Sequence, residues 1–325
     1  MRYHRAMRAS VFTSVVGLVV AFGCSATSSD ESGDGGQGGA GNGSGTGGVD
    51  LGNGAGGGGV GNHDCAVGAE LVYVLGTDNT LYSFEPANKL FKAIGPLQCS
   101  TSMQPNSMAV DRNAVAWVNY VESDGLGVDT AGAVFKVSTS DASCQPTNIA
   151  LGPGWYRLGM GFSSDAEGSS SETLFVTGTG DPGSPTSPGL GKIDLASQTL
   201  QPIGSFSGAL LGQNAELTGT GDARLFGFFT TTPVQVAQID KTTGATPTPA
   251  PLAQVETPAA WAFSFWGGDF YLYTAPDPSL DPTRTTNVTH YRPTTGEVDA
   301  AYMTNIGFII VGAGVSTCAP IAPPK

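Results

Sequence analysis

The 325 residues include 48 glycines and 21 prolines, and only 13% are charged, a composition that favours short strands and many turns and leaves no helix-period stretch beyond the N-terminus. Acidic residues outnumber basic ones by 27 to 14, and with Arg2, Arg5 and Arg8 assigned to a leader the balance becomes 11 against 27, a net charge of −16. Such a charge repels nucleic acid phosphates and anionic lipid headgroups, so binding to either is not expected. It is compatible with a cationic partner or a divalent metal, and as a solubility device it needs neither.

The chain opens with three arginines in Met1 to Arg8, followed by an apolar run from Val11 to Phe22 that is too short to span a bilayer. The run ends in Ala21-Phe22-Gly23-Cys24-Ser25, which resembles the lipobox of bacterial lipoproteins. The resemblance implies that 1–23 is a signal peptide and that Cys24 is diacylated and becomes the first mature residue. Ser25 resembles the pattern of lipoproteins passed on to the outer membrane, so a lipid anchor in that membrane or at the cell surface is expected. Ordinary cleavage, giving a periplasmic or secreted protein, is the alternative.

From 33 to 61, 17 of 29 residues are glycine. Backbone entropy there is too large and apolar area too small for a fold, so 24–64 reads as a disordered tether. Over the 41 residues from Cys24 to Cys65 a glycine-rich coil reaches ~35 Å, enough to hold a folded domain, 65–325, off a membrane.

The first unit of that domain is Glu70 to Cys99. Its runs Glu70 to Leu75, Thr80 to Phe84 and Leu90 to Ile94 are separated by turns at Thr77-Asp78-Asn79 and at Glu85 to Asn88, an antiparallel meander of three short strands. Four further repeats follow, each opening with a hairpin: Ser107 to Val110 with Ala114 to Tyr120, Arg157 to Phe162 with Glu172 to Thr177, Glu216 to Thr220 with Arg224 to Phe229, and Ala259 to Phe265 with Phe270 to Thr274. Each hairpin is followed by two more strands. Radial repetition of four-stranded sheets defines a β-propeller.

Only the first repeat lacks a leading strand, and Asn305 to Val311 is a leading strand with no repeat behind it. Letting Ile306 to Val311 complete the first blade closes a five-bladed ring and removes two sheet edges, with Phe308 expected beside Val72. A six-bladed ring is the alternative. Small residues at Met108-Ala109, Gly159-Met160-Gly161, Thr218-Gly219 and Ile306-Gly307 suit the crowded axis, and Trp117, Phe175, Phe226 and Tyr271 place bulk between blades.

Five cysteines in an exported chain leave one over, and giving Cys24 to lipid leaves Cys65, Cys99, Cys144 and Cys318. Three pairings are open. Ring closure favours Cys65 with Cys318 at the seam and Cys99 with Cys144 between neighbouring blades.

Complete catalytic sets are wanting. Of three histidines only His290 lies in a strand, where a half-exposed position is expected, and no Gly-x-Ser-x-Gly elbow accompanies it. Asn287-Val288-Thr289 has the form of a glycosylation sequon. Asp111, Asp165, Asp222 and Asp269 fall at tight turns between first and second strands. The long second-to-third-strand loops carry Glu122, Asp124, Asp129, Asp181, Asp277 and Asp281 against Arg284 alone, an acidic rim suited to Ca²⁺ or a basic partner.

Pro105-Asn106-Ser107-Met108-Ala109-Val110-Asp111 resembles the opening strand of NHL and gluconolactonase-type propellers. In the lactonases the asparagine of that strand faces an axial channel and binds a divalent metal, which implies Asn106 as a candidate ligand, with Glu216 and Asn305 at comparable strand starts. Taken whole, the chain resembles glycine-tethered bacterial surface lipoproteins that display a β-propeller. The leading expectation is a monomeric, non-catalytic binding or scaffold protein, without a cofactor unless it is Ca²⁺, that holds a protein, peptide or glycan on its long-loop face. A metal-dependent propeller hydrolase or lactonase is the first alternative, and a structural envelope protein without specific ligand the second.

Overall fold

The computed structural model describes residues 65–180, 186–277, 279 and 281–323. Cys24, the leader, the tether and Asp181 lie outside the described residues. Blade one contains β1 (Val72–Gly76), β2 (Thr80–Glu85) and β3 (Leu90–Pro96), and blade two β4 (Gln104–Val110), β5 (Val115–Ser123), β6 (Asp129–Ser138) and β7 (Cys144–Pro146). Blade three is β8 (Gly154–Ser164), β9 (Glu172–Gly180), β10 (Leu190–Asp194) and β11 (Thr199–Gly204). Blade four is β12 (Ala215–Gly219), β13 (Leu225–Phe229), β14 (Gln235–Gln238) and β15 (Ala250–Pro251). Blade five is β16 (Ala260–Trp266), β17 (Asp269–Ala275), β18 (Asn287–Arg292) and β19 (Glu297–Met303), and β20 (Ile310–Val315) then returns to β1. The result is a ring of five four-stranded antiparallel sheets, not six.

Local chemistry explains the strands. In β16, Phe263 and Phe265 enter the core shared with blade four while Ala262, just before them, faces blade one, the period of two that a strand imposes. The first hairpin turns at Asn79, whose φ of 63° is left-handed, and the Asp78 carboxylate accepts the Thr80 N–H at 3.1 Å. Between blades the aromatic second strands are buried as expected: Trp117, Phe175, Phe226 and Tyr271 each lie in an interblade core.

Closure is achieved by the last strand, in a different register from that expected. Val72 pairs with Val315 and Gly76 with Ile310, so the strand begins four residues later than Ile306. Phe308 does not lie beside Val72; its ring stacks on Tyr82 at 4.3 Å and meets Phe91 edge-on at 5.5 Å. The physical reason is the taper. A Cβ on Gly312 would sit 3.1 Å from the Met108 nitrogen and one on Gly314 3.0 Å from the Ala109 carbonyl carbon, so the small residues Gly312-Ala313-Gly314, not Ile306-Gly307, occupy the axis. Gly159 and Gly219 do the same elsewhere, where a Cβ would collide with the carbonyls of Ala215 and Phe162. As a consequence β20 comes within 8 Å (Cα–Cα) of both β8 and β12, and the leading strands fill the axis.

Both disulfides follow the expected pairing, Cys65–Cys318 at the seam and Cys99–Cys144 joining blades one and two.

Candidate functional site

The mouth of the axis is the first place to look, because β4, β8 and β12 bring Asn106, Arg157 and Glu216 there. The Asn106 carboxamide donates to the Asn119 oxygen at 3.0 Å and to the Leu158 carbonyl at 2.7 Å, while its own oxygen accepts from Arg157 Nη1 at 2.7 Å. Arg157 in turn grips Asp129 through Nε at 2.8 Å and Nη2 at 2.9 Å. Glu216 is buried and accepts the Ser107 hydroxyl at 2.7 Å. Burial drives its pKa well above the ordinary glutamate range, against the opposing pull of Ser107, the Met160 N–H and the Arg157 charge.

Asn305 is not part of this group. It lies in the β19–β20 connection, where its side-chain oxygen accepts the Thr285 N–H at 2.7 Å and its own N–H bonds to Asn287 at 2.9 Å. Asn287 opens the third strand of its blade, two strand spacings, about 10 Å, out from the leading strand. These residues do not fit a divalent metal. The Asn106 oxygen faces a guanidinium, Glu216 is buried and engaged by the Ser107 hydroxyl, and Asn305 is held elsewhere. Among the described residues no group of three His, Cys, Asp or Glu side chains is placed to hold a metal ion.

The acidic loops are organised locally. Asp124 accepts the Leu126 and Val128 N–H groups at 2.8 and 2.9 Å, Asp277 the Ser279 N–H at 2.8 Å, and Asp281 the N–H and hydroxyl of Thr283 at 3.0 and 2.6 Å. Hydrogen bonds from Ser279 and Thr283 hold Asp277 and Asp281 below the usual carboxylate range. Burial alone would raise Asp129, but Arg157 and Ser123 outweigh it and hold it low. Glu122 is exposed. These loops therefore carry negative charge in self-bonded turns, with Asp129 neutralised by Arg157.

Several residues have roles that their sequence positions did not reveal. His290 is 6% exposed, not half-exposed: its Nε2 meets the Asp269 carboxylate at 2.8 Å and its ring stacks on Tyr271 at 4.8 Å. Asp269 thus serves as the partner of His290. In the sequon Thr289 is 2% exposed, Asn287 is half-buried, and the Asn287 oxygen accepts the Asn305 N–H. Trp155 packs on Gly191, and Trp266 donates to the Glu70 carbonyl at 3.0 Å. At the seam, buried Arg112 donates to Thr317 at 3.1 Å, and the Glu172 carboxylate accepts the Arg112 N–H and the Thr317 hydroxyl, each at 2.7 Å. Burial pushes Glu172 up to about 7.

A concave site does exist, between blades four and five at the end where the long β17–β18 loop emerges. It is a polar cleft of about 200 Å³, with Gln254 and Glu256 on one wall and Thr274, Asn287, Thr289 and Arg284 on the other. Arg284 Nη2 meets Glu256 at 2.8 Å at its mouth; the Glu256 side chain is largely exposed and that of Arg284 partly so. Among the described residues no helix is long and apolar enough to cross a membrane.

No family model and no curated protein matches the sequence. Solved structures do resemble it. The chain is similar to YjhT at 12% identity and a TM-score of 0.45, over 72% of this chain and 81% of that one. It is similar to a gluconolactonase of Xanthomonas campestris at 14% identity and a TM-score of 0.39, over 62% of this chain and 68% of the other. An auxiliary nutrient binding protein from Bacteroides thetaiotaomicron matches at 9% identity and a TM-score of 0.41, over 71% of this chain and 53% of its own length. At such identities no residue's role carries across, and what the chain itself displays is a closed five-bladed β-propeller stapled by two disulfides.

Proposed function

We propose that this chain is an exported, lipid-anchored binding protein whose non-catalytic propeller presents its long-loop face to a partner outside the cytoplasm. The observation that carries this reading is the packed axis. Leading strands approach within 8 Å across it, and the polar groups at its mouth, Asn106, Arg157 and Glu216, are bonded to one another's elements, so these side chains are already engaged. Open polar surface lies farther out on the same face, on the long loops and in the cleft between blades four and five. Two disulfides suit an oxidising compartment, and the Cys24 motif and glycine-rich segment supply an anchor and a spacer.

Cells carrying the wild-type chain or Cys24→Ala would be fractionated, and the chains crosslinked on intact cells and captured. Cys24→Ala is expected to leave the membrane fraction, and the wild-type chain to capture partners that are lost when Asp124, Asp277 and Asp281 are replaced together by alanine. Membrane association that survives Cys24→Ala, or capture indifferent to the loops, refutes the reading. Metal-dependent lactone hydrolysis abolished by Glu216→Gln would restore the hydrolase alternative.

A further inference from the structure

The interblade cleft on the long-loop side has features that the surrounding turns lack. In the register of blade five, Trp261 pairs with Thr274 and Thr274 with Asn287, so the three side chains form one row on the face toward blade four. Leu272 and Thr289 form the next row inward on the same face. Thr274 and Thr289 are 7% and 2% exposed, yet among the described residues neither hydroxyl has a hydrogen-bond partner, and both line the cleft. The Trp261 indole N–H in the same row is buried and also lacks a partner. Buried polar groups are ordinarily satisfied. Among the described residues of this wall only the Trp261 N–H is both buried and unpaired, and it sits behind the cleft rather than in its lining; the two threonine hydroxyls open onto the cleft itself, where a polar guest can bond to them.

At the mouth the charges are paired but not used up. Only Nη2 of Arg284 and one oxygen of Glu256 meet, and among the described residues the remaining guanidinium nitrogens and the second carboxylate oxygen have no partner. An exposed pair of this kind is worth about 0–1 kcal/mol, so a guest can lie across it at little cost. A molecule with its own carboxylate and ammonium matches both groups at once through charge-assisted hydrogen bonds. The volume equals that of about six or seven waters, room for a guest of roughly the size of a free amino acid. No aromatic side chain lines the cleft, so the stacking platform that a sugar ring favours is missing.

We infer that the cleft between blades four and five binds a small zwitterion, a free α-amino acid with a polar side chain. Its carboxylate bonds to Arg284, its ammonium to Glu256, and its side chain reaches the hydroxyls of Thr274 and Thr289. This deepens the binding reading and rests on it only in locating the ligand on the long-loop side.

Full-length chain carrying Cys24→Ala would be titrated calorimetrically with L-glutamine, L-serine, N-acetyl-L-glutamine, L-glutaminamide and D-glucose. The two free amino acids are expected to bind saturably, and blocking either charged end to weaken binding at least tenfold. Arg284→Gln is expected to weaken L-glutamine at least tenfold with the melting temperature unchanged, and Thr274→Val to weaken L-serine while leaving the chain folded. Glucose binding as tightly as glutamine, affinity indifferent to the N-acetyl group, or no saturable binding of either amino acid to a folded chain overturns the inference. Partner capture on intact cells that persists in Arg284→Gln keeps the wider reading standing even then, so the two fail separately.

Discussion

Cutting the seam disulfide tests the ring most directly. Cys65 and Cys318 are 253 residues apart and Cys99 and Cys144 only 45. In the chain-entropy model a bridge stabilises by restricting the unfolded chain, which gives about 5.5 kcal/mol for the longer loop and about 4 kcal/mol for the shorter, both as upper bounds. The seam pair also ties down β20, whose Ile310, Ala313 and Val315 are buried and whose loss would open the first blade to two unpaired edges. Arg112 lies 3.6 Å from the Cys65 sulfur but keeps its bond to Thr317, so Cys65→Ala/Cys318→Ala leaves that side chain partly held. Guanidinium unfolding of the two double-alanine variants, followed by tryptophan fluorescence, should place the seam variant about 1.5 kcal/mol or more below the other. At about 2–4 °C per kcal/mol for a domain of this size, its melting temperature should fall by roughly 10–20 °C from that of the wild type. If Cys99→Ala/Cys144→Ala is as damaging as the seam variant or more so, the long-loop constraint is not what holds the ring closed.

The remaining predictions concern single sites. Glu172 titrates near 7 in the folded chain against an ordinary value near 4.5, chiefly through burial, so the native state holds its proton more tightly. The stability this group contributes is therefore complete below about pH 4.5 and lost as pH rises through about 7, by on the order of 3 kcal/mol; Glu172→Gln should flatten that slope in denaturant titrations between pH 4.5 and 7.5. Glu216 is buried and its pKa is raised, so Glu216→Gln, which adds no charge, should cost far less than Glu216→Lys, which should cost several kcal/mol by burying an unpaired charge; equal effects in chemical denaturation would contradict the burial of this side chain. Gly159→Ala drives a methyl into the Ala215 carbonyl and should cost about 1–3 kcal/mol or more, while Gly125→Ala, which meets nothing within 4 Å, should stay within about 0.5 kcal/mol; thermal melts of the two variants decide this.

Much of the architecture is written in short-range pattern. Alternation of period two, turn residues such as Asp78-Asn79, and cysteine parity are local signals; joined to the argument for ring closure they point to five four-stranded blades, a seam closed by the last strand and, of the three pairings that parity leaves open, the one observed. Register within Asn305 to Val315 is not local, because the whole stretch is apolar or small and alternation does not fix its start. Close approach at the axis decided it, since only Gly312 and Gly314 fit beside β4, which left Phe308 to cover Tyr82. The candidate sites divide along the same line. Asn106 and Glu216 could be singled out by their strand positions, but only folding placed Arg157 against Asn106 and sent Asn305 to the third strand, and with that the metal-site reading lost its fit. The cleft built from Glu256, Thr274, Arg284 and Thr289 joins two blades through residues silent in sequence, because a threonine hydroxyl counts as unsatisfied only once its neighbours are known. Sequence alone therefore determined the repeat, the ring and its staples, which arise from neighbours along the chain, while packing between blades decided which polar groups were left open to a ligand.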